Sequence, residues 1–212
     1  MTDNYALFFD IDGTLVSFNT HQIPQSTVRA LTNAKANGAQ IYIATGRPPM
    51  IITNLGAIEH LIDGYITING ALCYTGHEVV CYRPIPQQDV ITCVRDAQEK
   101  GYGLIVVGRD QVAVLDPTGS VDRIFRQYLN VKEFDNPSPL QELLSQDVLQ
   151  LTAFFDADYE KQMLRRMPHC VSGRWHPEFT DITAREADKG NGIQAIARFK
   201  GFDPAHTIAF GD

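Results

Sequence analysis

Two aspartates separated by one residue carry the most chemical information in this chain. Asp10 and Asp12 follow an apolar run in the segment Tyr5-Ala-Leu-Phe-Phe-Asp10-Ile-Asp12-Gly13-Thr14. A continuous apolar run predicts a buried strand of a parallel sheet, and open α/β sheets bind ligands at the carboxyl ends of such strands. Two carboxylates this close repel each other unless a cation or a shared proton intervenes. The pair therefore predicts a divalent cation, and Mg²⁺ suits oxygen ligands of this kind.

Calcium is one alternative for the same residues. An EF-hand loop that begins at Asp10 needs Gly at its sixth position and Glu at its twelfth. The chain has Leu15 and His21 there, and the preceding element is a predicted strand and not a helix. These mismatches favour Mg²⁺ over Ca²⁺. A turn with two solvated acids is the other alternative for this segment taken alone.

Three further polar residues lie at the predicted ends of core elements: Thr45, Lys189 and Asp212. Together with the aspartate pair they suit phosphoryl transfer, which depends mostly on positioning and charge neutralisation. One carboxylate can attack phosphorus, and a second can protonate the leaving alkoxide and then activate water. A hydroxyl and an ammonium can hold phosphoryl oxygens, and Asp212 can complete the Mg²⁺ site. Each of these three residues alone would more often be an ordinary turn or surface residue.

The elements that must position these residues follow from the apolar pattern. Short apolar runs predict strands at 5–10, 40–44, 65–68 and 207–210, and helical spacing predicts helices that end near Gly38 and span 188–200. Pro48 and Pro49 predict the start of another helix. Strands that alternate with helices indicate an α/β fold with a doubly wound, Rossmann-like parallel sheet.

The middle of the chain has a different order of predicted helices and strands. Helices are expected at about 87–100, 119–129 and 159–167, and strands at 103–107, 112–115, 149–155, 169–175 and 179–183, with a hairpin turn at 108–111. The sequence therefore predicts a discontinuous core domain, residues 1–82 and 184–212, and an inserted α+β cap domain, residues 83–183. Because the chain stops where a predicted strand ends, we expect the core to be truncated at its C-terminus.

Composition narrows the class of protein. The 212 residues carry a net charge of −7, with 44% hydrophobic and 20% charged residues and no basic run, so nucleic acid is not an expected partner. No apolar stretch approaches the roughly 20 residues that span a bilayer, and no signal peptide is apparent. Four cysteines without a CxxC pair indicate a cytoplasmic protein with reduced thiols.

Four segments resemble, in order, the motifs of haloacid dehalogenase (HAD) superfamily phosphatases: Asp10-Ile-Asp12-Gly13-Thr14, Ala44-Thr45-Gly46-Arg47, Asp188-Lys189-Gly190 and Gly211-Asp212. The insert resembles the class IIB cap of the Cof-type branch. Asn69-Gly70, Arg174-Trp175 and Phe179-Thr-Asp-Ile-Thr183 are similar to the bacterial hexose-phosphate phosphatases of that branch. The resemblance extends over essentially the whole chain.

This resemblance implies specific roles. Asp10 is the nucleophile and a Mg²⁺ ligand, and Asp12 is the general acid and base, with its backbone carbonyl on the metal. Thr45 binds a phosphoryl oxygen, Lys189 neutralises phosphoryl charge and steadies Asp10, and Asp212 is a metal ligand. The implied cofactor is Mg²⁺ and the implied partner is a small phosphorylated metabolite.

A second group of residues is predicted to bind substrate: Gly13, Gly46, Arg47, Asn69, Arg174 and Trp175. Two of them, Arg47 and Trp175, have a structural alternative. Arg47 either reaches the substrate or pairs with a surface acid, and Trp175 either faces a sugar ring or is buried in the cap. Glu178 is a further candidate for the cap face, and His176 is a candidate for substrate contact beside Trp175.

The segment Gly190-Asn191-Gly192-Ile-Gln-Ala195 formally matches the dinucleotide-binding pattern GxGxxA. No strand is predicted before it, so the required strand, turn and helix are missing and we interpret it as the start of a helix. Free N–H groups at such a helix start favour a nearby anion.

The predicted function is a Mg²⁺-dependent phosphatase of hexose phosphates with an aspartyl-phosphate intermediate. A sugar phosphomutase on the same core is the nearest alternative. A non-catalytic protein that binds sugar phosphate is the alternative from another class if the chain ends at Asp212.

Overall fold

The computed structural model describes residues 5–17, 20, 22–128, 131 and 137–211. Contacts between Cα atoms divide the chain into two units. Unit 1 comprises Met1–Arg47, Ile52–Tyr82 and Ala187–Asp212, and unit 2 comprises Pro48–Ile51 and Arg83–Glu186. The short segment Pro48–Ile51 groups with unit 2, which no pattern in the sequence indicates.

Unit 1 contains a sheet of six strands over the described residues, in the order β11-β1-β2-β3-β4-β5. Strands β11, β1, β2 and β3 run parallel, and β4 and β5 add an antiparallel edge. The strands are β1 (Ala6–Phe9), β2 (Gln40–Ala44), β3 (Ile62–Thr67), β4 (Leu72–Thr75), β5 (Glu78–Tyr82) and β11 (Thr207–Phe210).

Two helices belong to this sheet, α1 (Gln25–Ala36) and α5 (Lys189–Lys200). Buried apolar residues of the strands pack into two clusters, one that includes Leu31 of α1 and one that includes Ile196 of α5. Both clusters are apolar because β1 and β2 are nearly continuous hydrophobic runs, as expected for strands buried on both faces. Glycine at Gly201 ends α5 in the left-handed conformation, with φ +74°.

Unit 2 contains a second sheet, which is antiparallel over the described residues and has the order β7-β6-β8-β10-β9. Its strands are β6 (Leu104–Val107), β7 (Val112–Leu115), β8 (Gln150–Ala153), β9 (Cys170–His176) and β10 (Phe179–Ala184). The helices are α2 (Gln87–Lys100), α3 (Leu140–Leu143) and α4 (Ala157–Arg166), and Asp122–Tyr128 forms a π-helical segment. Apolar residues of α2 and α4 pack on one face of this sheet.

The predicted fold class is confirmed, with a parallel-containing α/β sheet and an inserted α+β unit. The prediction of a helix that starts at Pro48 or Pro49 is wrong. Only the short 3₁₀ turns Pro49–Ile51 and Glu59–Leu61 form in the described stretch between β2 and β3. Asn54 and Gly56 both disfavour the interior of a helix, and this explains why the proline start is not extended.

None of the helices in the described part of the chain is both long enough and apolar enough to cross a membrane.

Candidate active site

Asp10 lies directly after β1, at the carboxyl end of the parallel sheet. Its backbone N–H donates to the carbonyl of Phe210 at 3.0 Å, which ties the residue to the end of β11. Its side chain is mostly buried, and Oδ1 accepts a hydrogen bond from Nζ of Lys189 at 2.6 Å. The sheet therefore fixes a carboxylate next to an ammonium at the edge where α/β folds bind ligands.

Asp12 lies in a tight turn after Asp10. Gly13 takes φ +80°, a conformation that glycine adopts at little cost, and its N–H donates to Val16 O at 3.1 Å. The N–H groups of Leu15 and Val16 both donate to Ile11 O, so the turn closes on itself. This closed turn holds Asp12 in place beside the end of β1.

Arg47 holds both carboxylate oxygens of Asp12. Its Nε donates to Oδ2 at 2.9 Å and its Nη2 donates to Oδ1 at 2.7 Å. Such a bidentate pair fixes the carboxylate plane as well as its position. Arg47 thus pairs with an acid of the first motif, and its predicted role in substrate binding remains a prediction.

Thr45 follows β2 and is almost fully buried, with 1% of its surface exposed. Its N–H donates to Ile66 O at 2.8 Å, which joins it to β3. Its Oγ1 accepts from the N–H of Arg47 at 3.1 Å, and within the described residues its hydroxyl hydrogen makes no hydrogen bond. Hydrogen bonds to the backbone of Ile66 and Arg47 therefore hold Thr45 in position. Its hydroxyl can donate one hydrogen bond to a ligand oxygen.

Asn69 packs against Gly46, the residue after Thr45. A Cβ at Gly46 would lie 3.0 Å from Asn69 Oδ1, so glycine permits this close approach. Asn69 belongs to the 3₁₀ turn Ile68–Gly70, in which all three residues have positive φ. A β-branched residue in that region is rare and costs about 1–3 kcal/mol. Sequence reasoning missed Ile68, although the Asn-Gly pair beside it is a signal for such a turn.

Lys189 is the first residue of α5. The side chain of Asp188 caps the helix by accepting from the N–H of Asn191 at 3.0 Å. The glycine pattern that begins at Gly190 therefore opens a helix, as predicted. Gly192 allows α5 to pack closely on β3, because a Cβ at this position would lie 2.7 Å from Cγ2 of Ile66.

The donor set at the end of β1 fits a hard cation. Asp10 Oδ2 accepts no hydrogen bond within the described residues, and oxygen is the ligand that Mg²⁺ prefers. The side chain of Asp12 is occupied by Arg47, which leaves its backbone carbonyl as the donor that the resemblance implies. Asp212 lies outside the described residues. Among the residues that are described, no group of three or more His, Cys, Asp or Glu side chains forms a metal cluster.

Arg174 lies on β9 in unit 2 and its guanidinium contacts protein groups. Nε donates to Glu160 Oε2 at 2.6 Å, and the terminal nitrogens donate to the carbonyls of Phe155, His176 and Pro177 at 2.8–3.2 Å. These bonds tie the end of β9 to α4 and to the end of β8. The predicted role of Arg174 in substrate binding remains a prediction.

Trp175 is exposed, with 59% of its surface accessible, so the alternative of a buried tryptophan is wrong. Its orientation is nevertheless fixed, because Nε1 donates to Oδ2 of Asp181 at 2.8 Å and the ring meets Phe179 edge to face. The other oxygen of Asp181 accepts from Thr152 and Gln150. Burial raises the pKa of Asp181, and the hydrogen bonds from Thr152, Trp175 and Gln150, which lower it, offset only part of that rise.

Comparison with known proteins decides the family. The sequence profile of haloacid dehalogenase-like hydrolases matches residues 7–212. The chain belongs to this family. The match includes every site residue described above.

Three relatives of this hydrolase illustrate the similarity. A solved structure of the HAD subclass IIB sugar phosphatase BT4131 is 44% identical, with a TM-score of 0.88, and the match covers 99% of this chain and 81% of that one. The candidate phosphatase YkrA of Bacillus subtilis (strain 168) is 26% identical over 99% of this chain and 80% of its own. The pyridoxal phosphate phosphatase YbhA of Escherichia coli (strain K12) is 24% identical over 98% and 80%.

The predicted enzyme class follows from the family and these relatives. The hydrolase is a HAD superfamily phosphatase, that is, a phosphoric monoester hydrolase that acts on phosphorylated substrates.

Proposed function

We propose that the chain is a Mg²⁺-dependent phosphatase of sugar phosphates, most of all hexose phosphates, that works through an aspartyl-phosphate on Asp10. The contact between Lys189 Nζ and Asp10 Oδ1, at 2.6 Å, carries the proposal. In this contact the ammonium of Lys189 lies beside the proposed nucleophile and leaves its second oxygen, Oδ2, without a hydrogen bond within the described residues. The sugar phosphatase among the solved relatives supports the substrate class.

In the first step, an oxygen of Asp10 attacks phosphorus and the bond from phosphorus to the sugar oxygen breaks. The leaving alkoxide takes a proton from Asp12. In the second step, Asp12 removes a proton from water, the water oxygen attacks the same phosphorus, and the acyl phosphate bond breaks to release inorganic phosphate and regenerate Asp10. Thr45 and Lys189 hold the phosphoryl oxygens through both steps.

The proposed metal ligands are the carboxylate of Asp10, the backbone carbonyl of Asp12, and Asp212. When bound, Mg²⁺ supplies positive charge that offsets the repulsion between the substrate dianion and the nucleophile. Lys189 supplies a further positive charge at Oδ1 of Asp10. Arg47 orients Asp12 and, as an arginine, also suits a phosphate oxygen.

A cytoplasmic location agrees with this function. No disulfide joins the four cysteines, Cys73, Cys81, Cys93 and Cys170. Proteins exposed to oxidising compartments more often use such residues in disulfides.

The test is a measurement of released phosphate across hexose phosphates, other sugar phosphates, pyridoxal phosphate and nucleotides. Hexose phosphates should be hydrolysed fastest, and chelation by EDTA should stop the reaction until Mg²⁺ is added back. Faster hydrolysis of pyridoxal phosphate, the substrate named for YbhA, would contradict the sugar preference.

The same assay separates the two alternative functions. An isomeric sugar phosphate formed without free phosphate would identify a mutase. Binding of sugar phosphate with no release of phosphate from any compound would identify a binding protein, and either result would refute the phosphatase.

A further inference from the structure

The turn between β3 and β4 has an unusual backbone. Ile68, Asn69 and Gly70 have φ values of 52°, 51° and 92°, so three consecutive residues lie in the left-handed region. Glycine and asparagine tolerate this region, but isoleucine rarely adopts it. Ile68 is fully buried, and its packing keeps it there. Backbone strain of this kind persists only where the surrounding structure enforces it.

On one side, the turn is bonded to the loop that carries Thr45. The N–H of Ile68 donates to Arg47 O, and the N–H of Asn69 donates to Thr45 O, both at 3.1 Å. The side chain of Asn69 also packs on Gly46. These contacts span all three residues from Thr45 to Arg47, and they require the N–H groups of the turn to point back toward the loop.

On its other side, the turn meets the start of α5. A Cβ at Gly70 would lie 2.3 Å from the carbonyl oxygen of Asp188 and 2.7 Å from its carbonyl carbon. Asp188 O is the acceptor for the N–H of Gly192 in the first turn of the helix, at 2.9 Å. Gly70 therefore packs against the backbone that immediately precedes Lys189.

We propose that Ile68–Gly70 is a positioning element that sets the spacing between Thr45 and Lys189. The turn contacts the backbone of the loop that carries Thr45 and the backbone of Asp188, the residue before Lys189. The same contacts hold the turn in one conformation. It thereby fixes the hydroxyl and the ammonium relative to each other before a substrate binds. This inference rests on the proposed roles of Thr45 and Lys189 in holding the phosphoryl group.

The substitution Gly70→Ala tests the proposal. It forces the start of α5 away from the turn, and a displacement of about 1 Å in a positioning contact can lower kcat by roughly 100-fold. The substitution should lower kcat for sugar phosphates by about that factor, with a smaller change in KM. It should also weaken the binding of orthovanadate, which adopts the five-coordinate geometry of phosphoryl transfer, more than the binding of inorganic phosphate.

Gly76→Ala is the matched control. Gly76 also has a positive φ, 58°, but no atom lies within 4 Å of the position that a Cβ would take. Both substitutions therefore place an alanine at a positive φ, 92° at Gly70 and 58° at Gly76, and only Gly70→Ala adds the collision with Asp188. Gly76→Ala should leave kcat and the affinity for orthovanadate unchanged.

A measurement on the unsubstituted chain keeps the proposal testable if Gly70→Ala does not fold. Orthovanadate with Mg²⁺ should slow hydrogen exchange at the amides of Ile68 and Asn69, and it should not slow exchange at Gly76. Equal kinetics in Gly70→Ala and Gly76→Ala, or unchanged exchange at Ile68 and Asn69, would overturn the positioning role. Absence of phosphate release from the unsubstituted chain would instead refute the proposed function.

Discussion

Arg47 and Asp12 are joined by two parallel hydrogen bonds, at 2.9 Å and 2.7 Å. The two residues come from different motifs, one after β1 and one after β2. An arginine that donates to both oxygens of a carboxylate fixes the orientation of the carboxylate plane as well as its position. We therefore treat Arg47 as the residue that orients the proposed general acid and base.

The substitution Arg47→Lys should lower kcat by about tenfold or more, because lysine keeps the charge but cannot donate through a rigid fork. Steady-state kinetics with a sugar phosphate measures the change. Arg109→Lys is the control, since Arg109 pairs only loosely with Asp110, at 3.6 Å, on an exposed hairpin. Full activity in Arg47→Lys would show that the bidentate contact is not needed.

Asp10→Asn should abolish turnover, with a loss of roughly 10⁴-fold or more, because the amide has nearly the same shape but is not a nucleophile. Circular dichroism and thermal unfolding should show that the fold remains. Release of phosphate at the unsubstituted rate would exclude Asp10 as the nucleophile.

Lys189→Gln should lower kcat/KM by roughly 100-fold or more, because the phosphoryl group and Asp10 lose a neighbouring positive charge. Lys200→Gln is a matched control at the exposed end of the same helix, and its kinetics should be those of the unsubstituted chain. A similar loss in both variants would mean that overall charge, and not the contact with Asp10, governs the rate.

Asp181 should make the stability of the protein depend on pH. Burial raises its pKa, so the folded state binds the proton more tightly than the unfolded state, in which an aspartate titrates at about pH 3.9. Its contribution to stability is therefore fully present below that pH and is lost as the pH rises through the pKa of the folded state.

The measurement is the free energy of unfolding of the unsubstituted chain and of Asp181→Asn, in urea, from acid to neutral pH. The difference should favour the unsubstituted chain most at acid pH and should decline toward neutral pH. Asp110→Asn, at an exposed position, should show no such trend. A difference that grows with pH would contradict the assigned direction.

Much of this arrangement could be predicted from the sequence, because it depends on local signals. The apolar run before Asp10 and the strand at Gln40–Ala44 gave strand bounds close to those observed, and the residues after them lie where parallel strands end. The helix that starts at Lys189 follows from its aspartate cap.

Other features depend on contacts between residues far apart in the chain. The partner of Arg47 is 35 residues away, and neither residue alone indicates the other. The conformation of Ile68 opposes its own preference and is imposed by packing and by bonds to the Thr45 loop. The ring of Trp175 is exposed, and its orientation is fixed by a hydrogen bond to the buried carboxylate of Asp181. No local pattern in the sequence indicates the surroundings of Asp181.

The parallel pairing of β1 with β11 has a consequence for how the protein comes to be active. Ala6 pairs with Thr207, and Asp10 meets a lysine 179 residues later in the sequence. Contacts of such sequence separation form late, because a long loop must close before they give any stabilisation. A newly made chain therefore contains all of unit 2 before β11, the second of the two strands that pair with β1, has been synthesised. Recovery of phosphatase activity during refolding should consequently lag behind the recovery of secondary structure, and the delay measures the time needed to bring the two ends of unit 1 together.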